Sequence, residues 1–332
     1  MRGGMKSTRG PGALPRRALL AGAASAVAGT GLAQTGQPVR LMVTAAAGGS
    51  TDVIARIVAP GMSEALGGRP VLVENRGGGG GVIGAEAVAT AAPDGTTLGF
   101  FTVSAAVLNA LLHRNLRFDT ERAFAPVSLV ATFPMVVTVG NHVPARDLPD
   151  FVAWMRSRPG RTTYGSAGPG TINHLGALLL CNRTGTAAEH IPFRGAGPVF
   201  ASMMSGDTDF LVEGIPSQAP FVRQGSIRAL AVTGRQRSPL LPEVPTVIEG
   251  GVPDFEIVNW MAVFAPSGTP ALVIGALSTA VRAAVRAPGG ERRLREAGVE
   301  PAGTSAEELQ AFWDGQFRLW RPVVASSGAT VE

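Results

Sequence analysis

Val39-Arg40-Leu41-Met42-Val43-Thr44-Ala45-Ala46-Ala47-Gly48-Gly49-Ser50-Thr51-Asp52 is the stretch on which the reading of this chain turns. Its first five residues are apolar around one arginine, the composition of a buried strand. Small residues follow from Ala45 to Thr51, and the apolar periodicity from Asp52 to Leu66 predicts a helix. Strand, glycine loop and helix in that order open a βαβ unit. A glycine-led helix start presents unpaired N–H groups and a partial positive charge, so it stabilises a carboxylate without any cation. Ser50 and Thr51 add hydroxyl donors, and the same two residues also suit an ordinary helix cap.

The pattern recurs outward from this stretch. Val71 to Glu74 predicts a second strand, followed by a glycine run, a helix from Val82 to Ala91, a turn at Pro93-Asp94-Gly95 and a strand from Thr97 to Val103. Strands alternating with helices at this spacing imply a parallel, doubly wound sheet. Val127 to Val139 is an extended apolar segment suited to crossing between domains. A second alternating run begins with a helix capped by Asp147 and continues through a strand at Thr162–Tyr164, the loop Gly165–Gly170 and a helix from Thr171 to Leu180. Further strands are expected at 190–193, 210–212, 227–232 and 261–265, with helices at 199–204 and 271–285. Ser305 with Glu308 forms a capping box for the last helix. The economical arrangement is two α/β lobes, the second inserted into the first.

Residues 1–33 contain five cations and no acid, and Arg16-Arg17 precede an apolar stretch that ends in Gly31-Leu32-Ala33. This predicts an export signal cleaved near Ala33, with the Tat and Sec routes both open. Beyond it the chain has no lysine, and 24 arginines balance 24 acids. The formal charge of +5 therefore belongs to the leader. A mature domain without a basic footprint argues against nucleic acid as a partner. A phosphate-gripping loop would need the missing lysine. Cys181 has no second cysteine to pair with and reads as a buried thiol.

Gly79, Gly81 and Gly84 formally spell G-x-G-x-x-G, but the acid expected at the end of the next strand is absent from Phe100 to Ser104. That absence argues against a dinucleotide site, and no cofactor is expected. Gly165-Ser166-Ala167-Gly168 lacks G-x-S-x-G spacing, which makes Ser166 a poor nucleophile. His174 suits a structural role or a donor to a ligand, with general-base work as the alternative. Arg194 either pairs with a carboxylate or braces a domain surface. Glu213 either faces the cleft, where it could select an amino or hydroxyl group, or makes a rim or hinge contact. His113 and His142 have no partner at metal-ligand spacing, so no metal is expected. Glycine-rich helix starts in both halves, with no acid–base pair beside them, suit capture better than catalysis.

Taken in order, several landmarks resemble the Bug-type periplasmic substrate-binding proteins of tripartite tricarboxylate transporters. They are Gly48–Asp52 with Ala55-Arg56, Val73–Arg76 through Gly84, Pro93-Asp94-Gly95, Tyr164-Gly165-Ser166 with His174-Leu175, and Pro192–Gly195. Val244-Pro245-Thr246 with Glu249 and Gly251, and Ala265–Pro270, complete the series. The resemblance implies a type II periplasmic-binding-protein-like fold with a ligand cleft between two Rossmann-like lobes. Lobe 1 would comprise residues 34–135 and 256–332, and lobe 2 residues 136–255. It further implies a monomer that captures a di- or tricarboxylate or an aromatic acid and hands it to membrane transporter subunits or a sensor kinase. Gly48, Gly49, Ser50 and Thr51 would grip one carboxylate through backbone groups and ordered water. Ser104, Ser166, Gly168, Thr171, His174, Arg194 and Glu213 would read the remainder.

Three departures bear on ligand choice. Ala45-Ala46-Ala47 stands where the family has an aromatic and prolines, which predicts a reshaped pocket. Gly77 stands for a proline, predicting a looser loop, and Phe193 for a tyrosine. Two rivals remain at this level: an exported α/β hydrolase-like enzyme using Ser166 and His174, and a partner-binding sensor domain.

Overall fold

Parallel pairing of Val39–Val43 (β1) with its neighbours on both sides builds the first half of the sheet. The computed structural model describes Met1, Gly3, Gly4 and residues 36–327, so the expected export signal and its cleavage site lie outside the described residues. All elements belong to the unit Pro38–Glu332.

After β1 come Ser50–Ala65 (α1), Val71–Asn75 (β2), Val82–Ala89 (α2) and Thr97–Thr102 (β3). The chain then turns helical from Ser104, continuing as Asn109–Leu112 (α3), and Thr120–Ala123 (α4) leads into Phe124–Gly140 (β4). The second run consists of Leu148–Arg156 (α5), Thr163–Ser166 (β5), Ile172–Thr184 (α6), Glu189–Pro192 (β6), Ala196–Ser205 (α7), Phe210–Gly214 (β7), Ile215–Arg223 (α8) and Ile227–Val232 (β8). Val258–Pro266 (β9), Ala271–Arg286 (α9), Pro288–Glu296 (α10), Glu300–Pro301 (β10) and Ala306–Ser327 (α11) complete the order.

The strands run β2-β1-β3-β9-β4-β7-β5-β6, with β8 and β10 also on β4. β1 pairs in parallel with β2 and β3, and β5 with β6 and β7, as βαβ connections require. The two central strands differ from the parallel expectation. β9 is antiparallel to both β3 and β4, and β4 is antiparallel to β7 and β8. No strand–helix–strand repeat joins these pairs, so nothing forces them parallel. β4 changes partners midway: Phe124 to Pro134 pairs with β9, and Met135 to Val139 with β7.

Thr233, fully buried, ties the change of partner together. Its hydroxyl accepts from Met135 N at 2.8 Å and donates to Ile257 O at 2.6 Å. Its own N–H donates to Met135 O at 2.8 Å, and Ile257 N donates to its carbonyl at 3.0 Å. One side chain thus joins both segments that pass between the two halves of the sheet.

α11 closes the structure over the β3–β9 face. The Trp313 ring meets Phe264 at 5.0 Å, Phe264 stacks on Phe101 at 5.4 Å, and Trp313 Nε1 donates to Ala106 O at 2.8 Å. Each such ring contributes about 1.5–3 kcal/mol by leaving water, and the indole bond anchors the helical stretch that follows Ser104. Both expected caps form. Asp147 Oδ1 accepts from Asp150 N at 2.8 Å, and Ser305 and Glu308 exchange bonds at 2.7 and 3.1 Å. Sequence reasoning missed α8 and α10 because Pro216, Pro220 and Pro288-Gly289-Gly290 read as breakers. Pro216 and Pro288 occupy first-turn positions, where a missing N–H costs nothing.

Candidate functional site

The loop before α1 is held by a polar network that needs no ligand. Asp52 Oδ2 accepts from Gly48 N at 3.0 Å, and Arg56 Nε donates to Asp52 Oδ1 at 2.9 Å. Arg56 also reaches Asn75 Oδ1 at 3.1 Å, and Asn75 Nδ2 returns to Ala45 O at 3.2 Å. Burial opposes the Asp52 charge, but Arg56 and the Gly48 N–H together hold its carboxyl below the usual range. The motif residues Asp52, Arg56 and Asn75 therefore shape the loop from beneath. Above them, Gly49 precedes α1 with no side-chain cap, so the leading N–H groups of the helix stay unclaimed by side chains. Ser50 Oγ is buried with no hydrogen-bond partner.

The α6 start is different, because side chains already claim two of its leading donors. Thr171 is the cap and accepts from His174 N at 3.4 Å, while Ser104 Oγ accepts from Ile172 N at 3.0 Å. Thr171 Oγ1 donates to Gly168 O at 2.7 Å, and Gly170 N donates to His174 Nδ1 at 3.2 Å. Ser166 Oγ donates to Gly168 O at 3.0 Å and accepts from Gly168 N at 3.1 Å. Ser104, Ser166, Gly168, Thr171 and His174, all expected near a ligand, are brought together, but mainly as partners of one another.

The helix starts that lack side-chain caps also include α7 behind Gly195 and α8 behind Gly214. Both abut the first loop. A Cβ on Gly195 would lie 3.4 Å from Ala46 Cβ, and one on Gly214 would lie 3.3 Å from Ser50 Oγ. A Cβ on Gly80 would sit 3.0 Å from Asn109 Oδ1 and 3.3 Å from Pro169 O. Loops from both halves of the sheet therefore converge at the carboxyl ends of parallel strands, where doubly wound sheets place their ligands. Arg194, next to Gly195, is exposed. Gly77 packs closely instead of loosening the loop, since a Cβ there would lie only 2.9 Å from Ala46 N.

Glu213 ends β7 at this convergence and is partly buried. Its Oε1 accepts from Gly214 N and its Oε2 from Asn173 Nδ2, each at 2.8 Å. Burial pushes the carboxyl above the ordinary carboxylate range, against the pull of these two donors.

Ser166 also meets a residue that the sequence reading had placed only in a strand. His190 Nε2 lies 2.6 Å from Ser166 Oγ, and the His190 ring stacks on His174 with centroids 4.0 Å apart. Tyr164 extends the stack, 5.0 Å from His190. Burial, with His174 beside it, pushes His190 down to about 4, and burial also lowers His174. The hydrolase pairing of Ser166 with His174 is therefore corrected. Ser166 is 1% exposed, its partner is His190, and among the described residues neither ring bonds a carboxylate. Asn109, Asn173 and His190 join this network although the sequence reading named none of them as candidates. Asn173 and His190 border the quoted landmarks, just before His174 and Pro192, but Asn109 carries no local signal.

The family described as tripartite tricarboxylate transporter family receptor matches residues 54–329. Protein BugT of Bordetella pertussis is 32% identical over 297 residues, covering 89% of this chain and 91% of that protein. The solved structure of R. palustris Rpa4515 with adipate is 32% identical with a TM-score of 0.85, covering 89% of this chain and 99% of that one. MatC (Rpa3494) from Rhodopseudomonas palustris with bound malate is 30% identical with a TM-score of 0.81, covering 87% and 99%. The fold as a whole thus has close counterparts in these two solved structures. By the family match along most of its length, this chain belongs to the tripartite tricarboxylate transporter receptor family.

Proposed function

We propose that this protein is a periplasmic solute-binding receptor that captures a small carboxylate, a di- or tricarboxylate or an aromatic acid, for a tripartite-type transporter or sensor. The observation that carries this reading is the convergence of the uncapped starts of α7 and α8 on Ala46 and Ser50, at the uncapped start of α1. Unclaimed N–H donors at a helix start solvate an anion without a buried cation. Gly49, Ser50 and Thr51 supply that subsite, and Gly48 holds the loop in shape through Asp52. Gly195 supplies a second set of donors beside Arg194. Ser104, Ser166, Gly168, Thr171 and His174 form the floor that keeps the α6 start in place.

The chain divides into lobes at the change of partner in β4, near Met135, and at Ile257, near the start of β9. Thr233 bonds both points, so closure bends the structure around that residue. The leader directs export, and relatives described as periplasmic support that destination.

Thermal unfolding of the mature protein against a panel of carboxylates tests the reading, because a ligand that binds only the folded state raises the midpoint by mass action. At least one acid should give a saturable rise. If none does, and mass spectrometry finds no acid carried through purification, the reading fails.

A further inference from the structure

The converging loops offer donors on one wall and acceptors on the other. The donor wall is the first turn of α1 behind Gly49, joined by the unpartnered Ser50 hydroxyl. The acceptor wall lies around the α6 start. Asn109 is 1% exposed, gives its amide to Gly80 O at 3.1 Å and leaves Oδ1 buried without a partner. Glu213 adds two carboxyl oxygens, each bonded once and each retaining a lone pair.

Asn173 fixes where Glu213 sits. Its amide donates to Val212 O at 3.0 Å and to Glu213 Oε2 at 2.8 Å, so both of its protons are committed. Glu213 folds back onto Gly214 N, and Gly214 faces Ser50 at close range. The acid is therefore held one residue from the contact that β7 makes with the donor wall. Among the described residues, no arginine or histidine bonds it. A partly buried acid without a countercharge disfavours a second carboxylate and favours a cation or a strong donor.

Granting carboxylate capture, on which this rests, we propose that Glu213 is the specificity-determining residue of the cleft and that the ligand is an amino carboxylate. Its carboxylate sits at the α1 start and its ammonium at Glu213. Such a zwitterion answers both walls at once, whereas a plain diacid would set two negative charges against Glu213.

Isothermal titration of the mature protein with matched acids tests this. Aspartate, malate and succinate share one skeleton and differ only in carrying ammonium, hydroxyl or hydrogen. Alanine with propionate, and phenylalanine with 3-phenylpropionate, keep pocket size from deciding the outcome. The amino acid should bind at least about tenfold more tightly than its deamino partner in one or more pairs. Glu213→Gln, which keeps an acceptor for Asn173, should abolish that preference by weakening the amino acid and, with the opposing charge gone, binding deamino diacids more tightly than the wild type does. The assignment is overturned if deamino acids bind as well or better in every pair that binds. It is also overturned if malate exceeds aspartate, or if Glu213→Gln keeps the preference. Should that variant not fold, the wild-type ranking decides. Binding of deamino acids alone leaves capture standing without the role of Glu213, and binding of nothing in the panel removes both.

Discussion

His190 stacks on His174 with planes 12° apart while its Nε2 bonds Ser166 Oγ at 2.6 Å, which makes the two rings a neutral prop under the Gly165–Gly170 loop. Burial and the adjacent His174 ring set His190 at about 4, and burial lowers both His174 and His113. Unfolded histidines take up protons near pH 6.5. Below that value the unfolded chain binds more protons than the native one, so stability is complete above about pH 6.5 and declines as pH falls toward 4. Guanidinium midpoints between pH 7.5 and 5 should show the decline, and His190→Gln should make it shallower. A flat profile across this range contradicts the prop.

Thr233→Val keeps the shape of the side chain and removes the hydroxyl that joins Met135 N to Ile257 O. Two buried backbone groups lose that partner, at a cost of about 1–3 kcal/mol. Urea unfolding should report the loss, and small-angle scattering should show a broader range of lobe separations. An unchanged midpoint would mean that Thr233 does not join the crossing segments.

Ser104→Ala separates support from ligand contact. Its Oγ accepts from Ile172 N, so the substitution strands a buried N–H and should lower stability by about 1–3 kcal/mol. Ligand affinity at saturating folded protein should change little. A large affinity loss without destabilisation would return Ser104 to the ligand.

Gly214→Ala probes the close approach of β7 to Phe133 and the α1 start. The backbone at Gly214 tolerates a side chain (φ −61°), but the new Cβ would lie 2.7 Å from the Phe133 ring and 3.3 Å from Ser50 Oγ. Overpacking of this kind costs about 1–3 kcal/mol, and it should also weaken carboxylate binding by displacing Ser50. Calorimetric unfolding and titration on the same variant check both effects.

Much of the scaffold was legible locally. The apolar strands, the Asp147 and Ser305 caps and the glycine-led helix starts are written within a few residues of each other, where side-chain composition and backbone donors act directly. Antiparallel pairing of β4 and β9 was not legible, because it joins segments more than a hundred residues apart without a repeat between them. The proline-bearing α8 was hidden for another reason: Pro216 sits in the one turn of a helix that tolerates it.

The sequence by itself determined which helices begin at glycine loops and that lysine is absent beyond residue 6, since both are properties of adjacent residues and of composition. Only the tertiary structure decided which of those starts remain available. Ser104, 68 positions away, closes α6 by meeting Ile172 N, while Gly49 leaves α1 open against Gly214. The physical reason is that a donor's availability depends on what packs against it, and packing brings together residues that no local pattern connects.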